Sequence, residues 1–92
     1  MNTEFTEVVI GENVTEIGAY AFFKSTSLKN VYVKSTTPPS IGKWAFCYEK
    51  SAYHYQYPPI PNLKIYVPMN SVEDYKTQWS LYADNIVGYE YE

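Results

Sequence analysis

Ile17-Gly18-Ala19-Tyr20-Ala21-Phe22 and Ile41-Gly42-Lys43-Trp44-Ala45-Phe46 are one hexapeptide, Ile-Gly-x-x-Ala-Phe, written twice at a spacing of 24 residues. Four of its six positions match, and the two that vary are adjacent. A self-match at a fixed period is the mark of a repeat architecture, in which each repeat is one structural unit that cannot bury its own apolar side.

The match extends upstream. "FTEVVI" precedes the first hexapeptide and "LKNVYV" the second, so Phe5, Val8 and Ile10 correspond to Leu28, Val31 and Val33. Here the offset is 23 residues, and the extra residue falls between strand and hexapeptide, where "GENVTE" becomes "KSTTPPS". A third strand-like run, "LKIYVP", aligns Ile65 and Val67 with Val31 and Val33. Its approach is longer by an insertion, "CYEKSAYHYQYPPIPN", spanning Cys47 to Asn62.

In each run the aliphatic pairs Val8/Ile10, Val31/Val33 and Ile65/Val67 alternate with Val9, Tyr32 and Tyr66. Period two is the signature of a strand with one buried face. One strand per coil of 23–24 residues predicts a solenoid, α/β or mainly β, with a short parallel sheet of about three to four strands. The hexapeptide then forms the opposite wall. Ile17 and Ile41 make one interior ladder, and Phe22 and Phe46 another. Gly18 and Gly42 are expected where the backbone turns tightly or takes a positive φ, and Ala21 and Ala45 where the walls approach. The predicted core is Val8, Ile10, Ile17, Ala21, Phe22, Val31, Val33, Ile41, Ala45, Phe46, Ile65 and Val67.

The pattern L-x-x-V-x-I followed by V-x-x-I-G-x-x-A-F resembles the leucine-rich repeats of BspA-like bacterial surface proteins. "FTEVVIGENVTEIGAYAF" fits it with Phe5 as the leading residue, and "LKNVYVKSTTPPSIGKWAF" fits it with a Thr-Pro-Pro turn. "IYVPMNSVEDYKTQWSLYADNIVGY" is similar to the C-terminal coil of the same family. The resemblance implies a leucine-rich-repeat domain over residues 1–92, with coils at about 5–27, 28–62 (insertion 47–62) and a cap at 63–92. It also implies a protein-binding or adhesion role at a bacterial cell surface.

A solenoid needs its ends covered. Val72, Tyr75, Trp79, Tyr82 and Ile86 recur at spacings of 3, 4, 3 and 4, which predicts one helix face or two short helical turns laid across the last coil. Ser71 and Asp74 have capping-box spacing. "IVGYEY" reads as a final strand. "MNTE" is too short to cover the first coil, so the chain is expected either to end a longer array or to self-associate through that face.

Composition narrows the function. Seven lysines, no arginine and ten acids give a net charge of −3 with no basic cluster, which argues against nucleic acid and anionic membranes. No apolar run is long enough to insert in a membrane. "MNTEFTEVVIGEN" carries acids where an export signal has basic residues, so the resemblance points to the cell surface or exterior while the chain itself leaves a cytoplasmic location open. Cys47 is the only cysteine and reads as a small buried residue. His54, the only histidine, stands among tyrosines and makes neither a Cys-His pair nor a metal site. Glu73-Asp74 reads as helix-end charge. No nucleophile, base and stabiliser occur together, so no enzyme and no cofactor are expected.

Two features are candidates for binding. The first is the outward strand row at Tyr32 and Tyr66, flanked by Asn30, Lys34 and Lys64. Rigid aromatic groups there suit recognition of a protein, or they simply stabilise the sheet as a cross-strand pair. The second is the insertion, where Tyr48, Tyr53, Tyr55 and Tyr57 present rings to a glycan or fold back over the solenoid.

Overall fold

The computed structural model describes residues 6–48 and 57–91. The main sheet comprises β1 (Glu7–Ile10), β3 (Asn30–Val33), β5 (Lys64–Pro68) and β6 (Ile86–Tyr89), all parallel and in that order. A second parallel pair, β2 (Glu16–Ile17) with β4 (Ser40–Ile41), forms the opposite wall. Between β5 and β6 lie a 3-10 turn (Met69–Ser71), helix α1 (Val72–Gln78) and a kinked 3-10 segment (Ser80–Asn85).

Register follows the alternation. Val8, Val31, Ile65 and Ile86 share one inward row, and Ile10 stands beside Val33 in the next. Val31, Val33, Ile65 and Val67 are fully buried. Leu28, Cys47, Ile60 and Leu63 join them in the core, and Val8, Phe22 and Ile41 pack half-buried against it. Leading residue Phe5 lies outside the described residues.

Across the wall Ile17 pairs in register with Ile41, and the Phe22 and Phe46 rings stack 5.2 Å apart at 3°. Three expectations need correction here. No glycine has a positive φ; within each hexapeptide the left-handed residue is instead the one at the second variable position, Tyr20 (φ 60°) and Trp44 (φ 58°). Gly42 is glycine for a different reason. A Cβ on it would lie 2.3 Å from the Ala19 nitrogen, because the backbone of the first coil presses against it, whereas Gly18 has open space. Ala45 is fully buried as expected, but Ala21 is exposed. The two alanines occupy the same place in successive layers; Ala45 has the first coil on one side and the cap on the other, and no described residue covers Ala21.

Backbone hydrogen bonds tie the layers together. From the first coil, Tyr20, Phe22 and Lys24 N–H donate to Lys43, Ala45 and Cys47 C=O at 2.8–2.9 Å. In return Ser40 and Gly42 N–H donate to Thr15 and Ile17 C=O at 3.0 and 2.8 Å. The second coil needs equivalent partners on its far side, since a buried backbone group without one costs about 1–3 kcal/mol. Side chains of the cap provide some of them. Phe46 N–H, the counterpart of Phe22 N–H, donates to the Tyr82 hydroxyl at 3.0 Å. Tyr75 O–H donates to Ser35 C=O at 2.5 Å, and Trp79 Nε1–H to Pro39 C=O at 2.9 Å.

Ser71 departs from its expected role. It precedes α1 but makes no cap bond; its hydroxyl donates to Thr36 C=O at 2.8 Å. The capping box is absent because that hydroxyl fastens the helix to the Thr-Pro-Pro turn. Tyr75, Trp79, Tyr82 and Ile86 are buried as the spacing predicts, with Val72 half-buried. The described end of the insertion completes the layer. Cys47 forms an antiparallel bridge with Pro59, Tyr48 N–H donates to Pro58 C=O at 3.1 Å, and Ile60 N–H to Phe46 C=O at 2.9 Å.

Unequal burial of the stacked phenylalanines sets unequal costs. Phe46→Ala is expected to lower unfolding free energy by about 3–5 kcal/mol, and Phe22→Ala by roughly 1–2 kcal/mol. Urea titration of both variants checks the order, and equal losses would show that the layers are not as described. The cap also makes the fold sensitive to alkali. Burial raises the Tyr75 hydroxyl from 10.0 to about 12 and pushes the Tyr82 hydroxyl up as well. An acid whose pKa is higher folded than unfolded holds its proton longer in the folded state, so stability is intact below pH 10 and falls between pH 10 and about 12. Urea midpoints measured across that window should drop for the native chain and drop less for Tyr75→Phe.

Candidate functional site

The outward face of the sheet is built by register. Val9, Tyr32, Tyr66 and Val87 stand in one row across the four strands. The Tyr32 and Tyr66 rings are stacked, 4.9 Å apart at 12°, as two parallel neighbours one strand spacing apart must be. Val9 is 62% exposed at the open side of the row.

Two further tyrosines belong to this face, and sequence reading did not assign them to it. Tyr89 is paired in register with Pro68, which has no aromatic ring, and it packs edge-on against both Tyr32 (5.8 Å) and Tyr66 (5.5 Å). Tyr91 packs edge-on against Tyr89 at 4.9 Å. Its hydroxyl donates to Tyr66 C=O at 2.9 Å, close to where the paired register of β3 and β5 ends. The signal was present in "GYEY", whose alternating tyrosines fall on one side of an extended chain.

Burial is the leading cause raising the Tyr32 hydroxyl, followed by Glu7 and the neighbouring tyrosines, and burial raises Tyr91 to about 12. These phenols are neutral at physiological pH, able both to donate and to accept. Of the flanking candidates, Asn30 and Lys64 share a row with Glu7. Lys34 stands apart from them, at one end of an open groove of about 440 Å³ that it lines with Pro68, Met69, Asn70, Tyr89 and Tyr91. The structure thus brings Tyr32, Tyr66, Asn30 and Lys64 onto one face, with Lys34 at its border.

A second aromatic group decorates the wall. Tyr57, from the insertion, packs on Trp44 at 5.3 Å and on Phe23 at 5.7 Å. Phe23 in turn meets Tyr20 edge-on at 5.3 Å, with the Lys24 ammonium 5.8 Å from the Phe23 ring. Tyr48 is half-buried beside the Cys47–Pro59 bridge. Tyr53 and Tyr55 lie outside the described residues.

Catalytic features are sparse. Cys47 is fully buried; burial pushes its thiol up, an effect that the Tyr82 hydroxyl at 3.4 Å partly offsets. A thiol so placed is a poor nucleophile. Among the described residues no cluster of His, Cys, Asp or Glu is placed to hold a metal ion, and no helix is long and apolar enough to cross a membrane.

The layer geometry agrees with comparison to known families. A family model described as BspA type leucine rich repeat region (6 copies) matches residues 1–74, the repeat coils and the start of α1. No curated protein matches the chain significantly. Leucine-rich repeats generally mediate protein–protein interaction and are generally non-catalytic, and proteins with the BspA-type repeat are commonly associated with bacterial surfaces. Repeated coils, parallel sheet and matching family model lead to one identification: the chain belongs to the BspA-type leucine-rich-repeat family.

Proposed function

We propose that this chain is a non-catalytic recognition module that binds a protein partner through the outer face of its sheet, in an adhesive or interaction role at a bacterial cell surface. The observation that carries the reading is the four-tyrosine cluster of Tyr32, Tyr66, Tyr89 and Tyr91. Interlocked rings on paired strands offer contact area with little rotamer entropy left to lose, and the polar residues Asn30 and Lys64 border them. Rigid strands hold such a site better than a loop does.

The second reading is a carbohydrate-binding module centred on the insertion. It is favoured by the packing of Tyr57 with Trp44, which forms part of an aromatic platform on the wall. Tyr48, Tyr53 and Tyr55 are the other candidate residues of this reading.

One comparison separates the two. The double substitution Tyr32→Ala/Tyr66→Ala is expected to weaken binding to a protein partner by about 2 kcal/mol or more, the scale of hot-spot residues. Its cost in stability is expected to be smaller, because a cross-strand pair contributes about 0.2–1 kcal/mol. Isothermal titration with the partner and urea unfolding measure the two quantities. A glycan array run with the native chain and with Tyr57→Ala gives the other arm. Glycan binding that disappears with Tyr57 while the sheet variant binds normally would overturn the protein-recognition reading.

A further inference from the structure

The second coil's wall is not fully covered. In the first coil, Ile17 and Tyr20 turn their backbone groups to the next layer: Ile17 C=O accepts from Gly42 N–H at 2.8 Å and Tyr20 N–H donates to Lys43 C=O at 2.9 Å. The counterparts in the second coil are Ile41 and Trp44. Ser40 and Gly42 direct their N–H groups toward the first coil, so by strand alternation Ile41 directs both its N–H and its C=O away from it. Trp79 occupies Pro39 C=O, Tyr82 occupies Phe46 N–H and Pro58 occupies Tyr48 N–H. Among the described residues nothing bonds the Ile41 C=O or the Trp44 N–H.

The residues that carry these two groups line one groove. It measures about 330 Å³, is mainly apolar, and is lined by Ile41, Gly42 and Trp44 from the wall and Trp79, Leu81 and Tyr82 from the cap. Leu81 is 48% exposed at its rim. An edge of paired strands with free backbone groups beside an apolar groove is the setting in which an extended peptide adds as a further strand.

We propose that this groove binds an extended protein segment of the pattern polar–aliphatic–glycine–x, which continues the β2–β4 sheet by one strand. The interface between the first and second coils, which the groove prolongs, specifies the occupant. The glycine N–H of the segment meets Ile41 C=O as Gly42 N–H meets Ile17 C=O, and the next carbonyl accepts from Trp44 N–H as Lys43 C=O accepts from Tyr20. The aliphatic residue stacks on Ile41 against Leu81. Glycine is required because the segment lies against the backbone of Lys43, as Gly42 lies against Ala19, where a Cβ would come within 2.3 Å of backbone nitrogen. This site is on the opposite side of the solenoid from the tyrosine face and does not depend on it.

The probe is the capped peptide acetyl-Pro-Ser-Ile-Gly-Lys-Trp-amide, a copy of Pro39–Trp44, titrated into the isotopically labelled chain with amide shifts read by NMR. Saturable shifts centred on Ile41 and Trp44 are expected. N-methylation of the peptide glycine, its replacement by valine, and Leu81→Glu in the protein should each weaken binding at least about tenfold, the worth of one hydrogen bond or apolar contact. Tyr32→Ala/Tyr66→Ala should leave it unchanged, which keeps this site distinct from the sheet face. Absence of saturable shifts, shifts centred elsewhere, or equal binding of the N-methylated peptide would overturn the proposal.

Discussion

The hydrogen bond from Phe46 N–H to the Tyr82 hydroxyl is the interaction on which the closure of this solenoid depends. A stack of parallel coils satisfies its backbone only through the next coil, so the last coil always presents unpaired groups to whatever follows. Phe22 N–H finds a carbonyl in the second coil, and Phe46 N–H finds a phenol in the cap. Ser71, Tyr75 and Trp79 do the same service for the carbonyls of the Thr-Pro-Pro turn and its flanks. The aromatic residues of the cap therefore act twice. Their rings bury the apolar end of the stack, and their polar atoms imitate the backbone of a missing coil.

That double role explains which parts of the structure could be read in the sequence. Coil period, strand alternation and inward ladders were legible because each rests on a local pattern: Val31/Val33 against Tyr32, or Ile17 against Ile41. The cap's buried face was legible from the spacing of Tyr75, Trp79 and Tyr82. What these residues bond to was not, because their partners lie 36 to 40 positions away in the chain. Ser71 illustrates the difference. Its spacing to Asp74 suggests a local cap, yet a carbonyl in another coil takes its hydroxyl. Gly42 and Ala21 mark the same boundary, since one is constrained and the other exposed by the layer beside it, which a repeat motif does not encode.

The candidate site was half legible for a related reason. Tyr32 and Tyr66 correspond through the repeat, so their adjacency followed from alignment. Tyr89 and Tyr91 belong to no repeat, and only the parallel pairing of β6 with β5 brings them to the same face. The result is a sheet surface whose tyrosines hold one another in place, opposite a wall whose second coil is partly covered by improvised partners.

Amide hydrogen exchange at two matched positions tests the account of that ending most directly. Phe22 N–H bonds to a backbone carbonyl and Phe46 N–H to a side-chain hydroxyl. If the cap truly replaces a coil, the Phe46 amide is protected to within about tenfold of the Phe22 amide, and Tyr82→Phe removes most of that protection while leaving Phe22 slow. A Phe46 amide that exchanges like an open turn in the native chain, or one that stays protected in Tyr82→Phe, would contradict it.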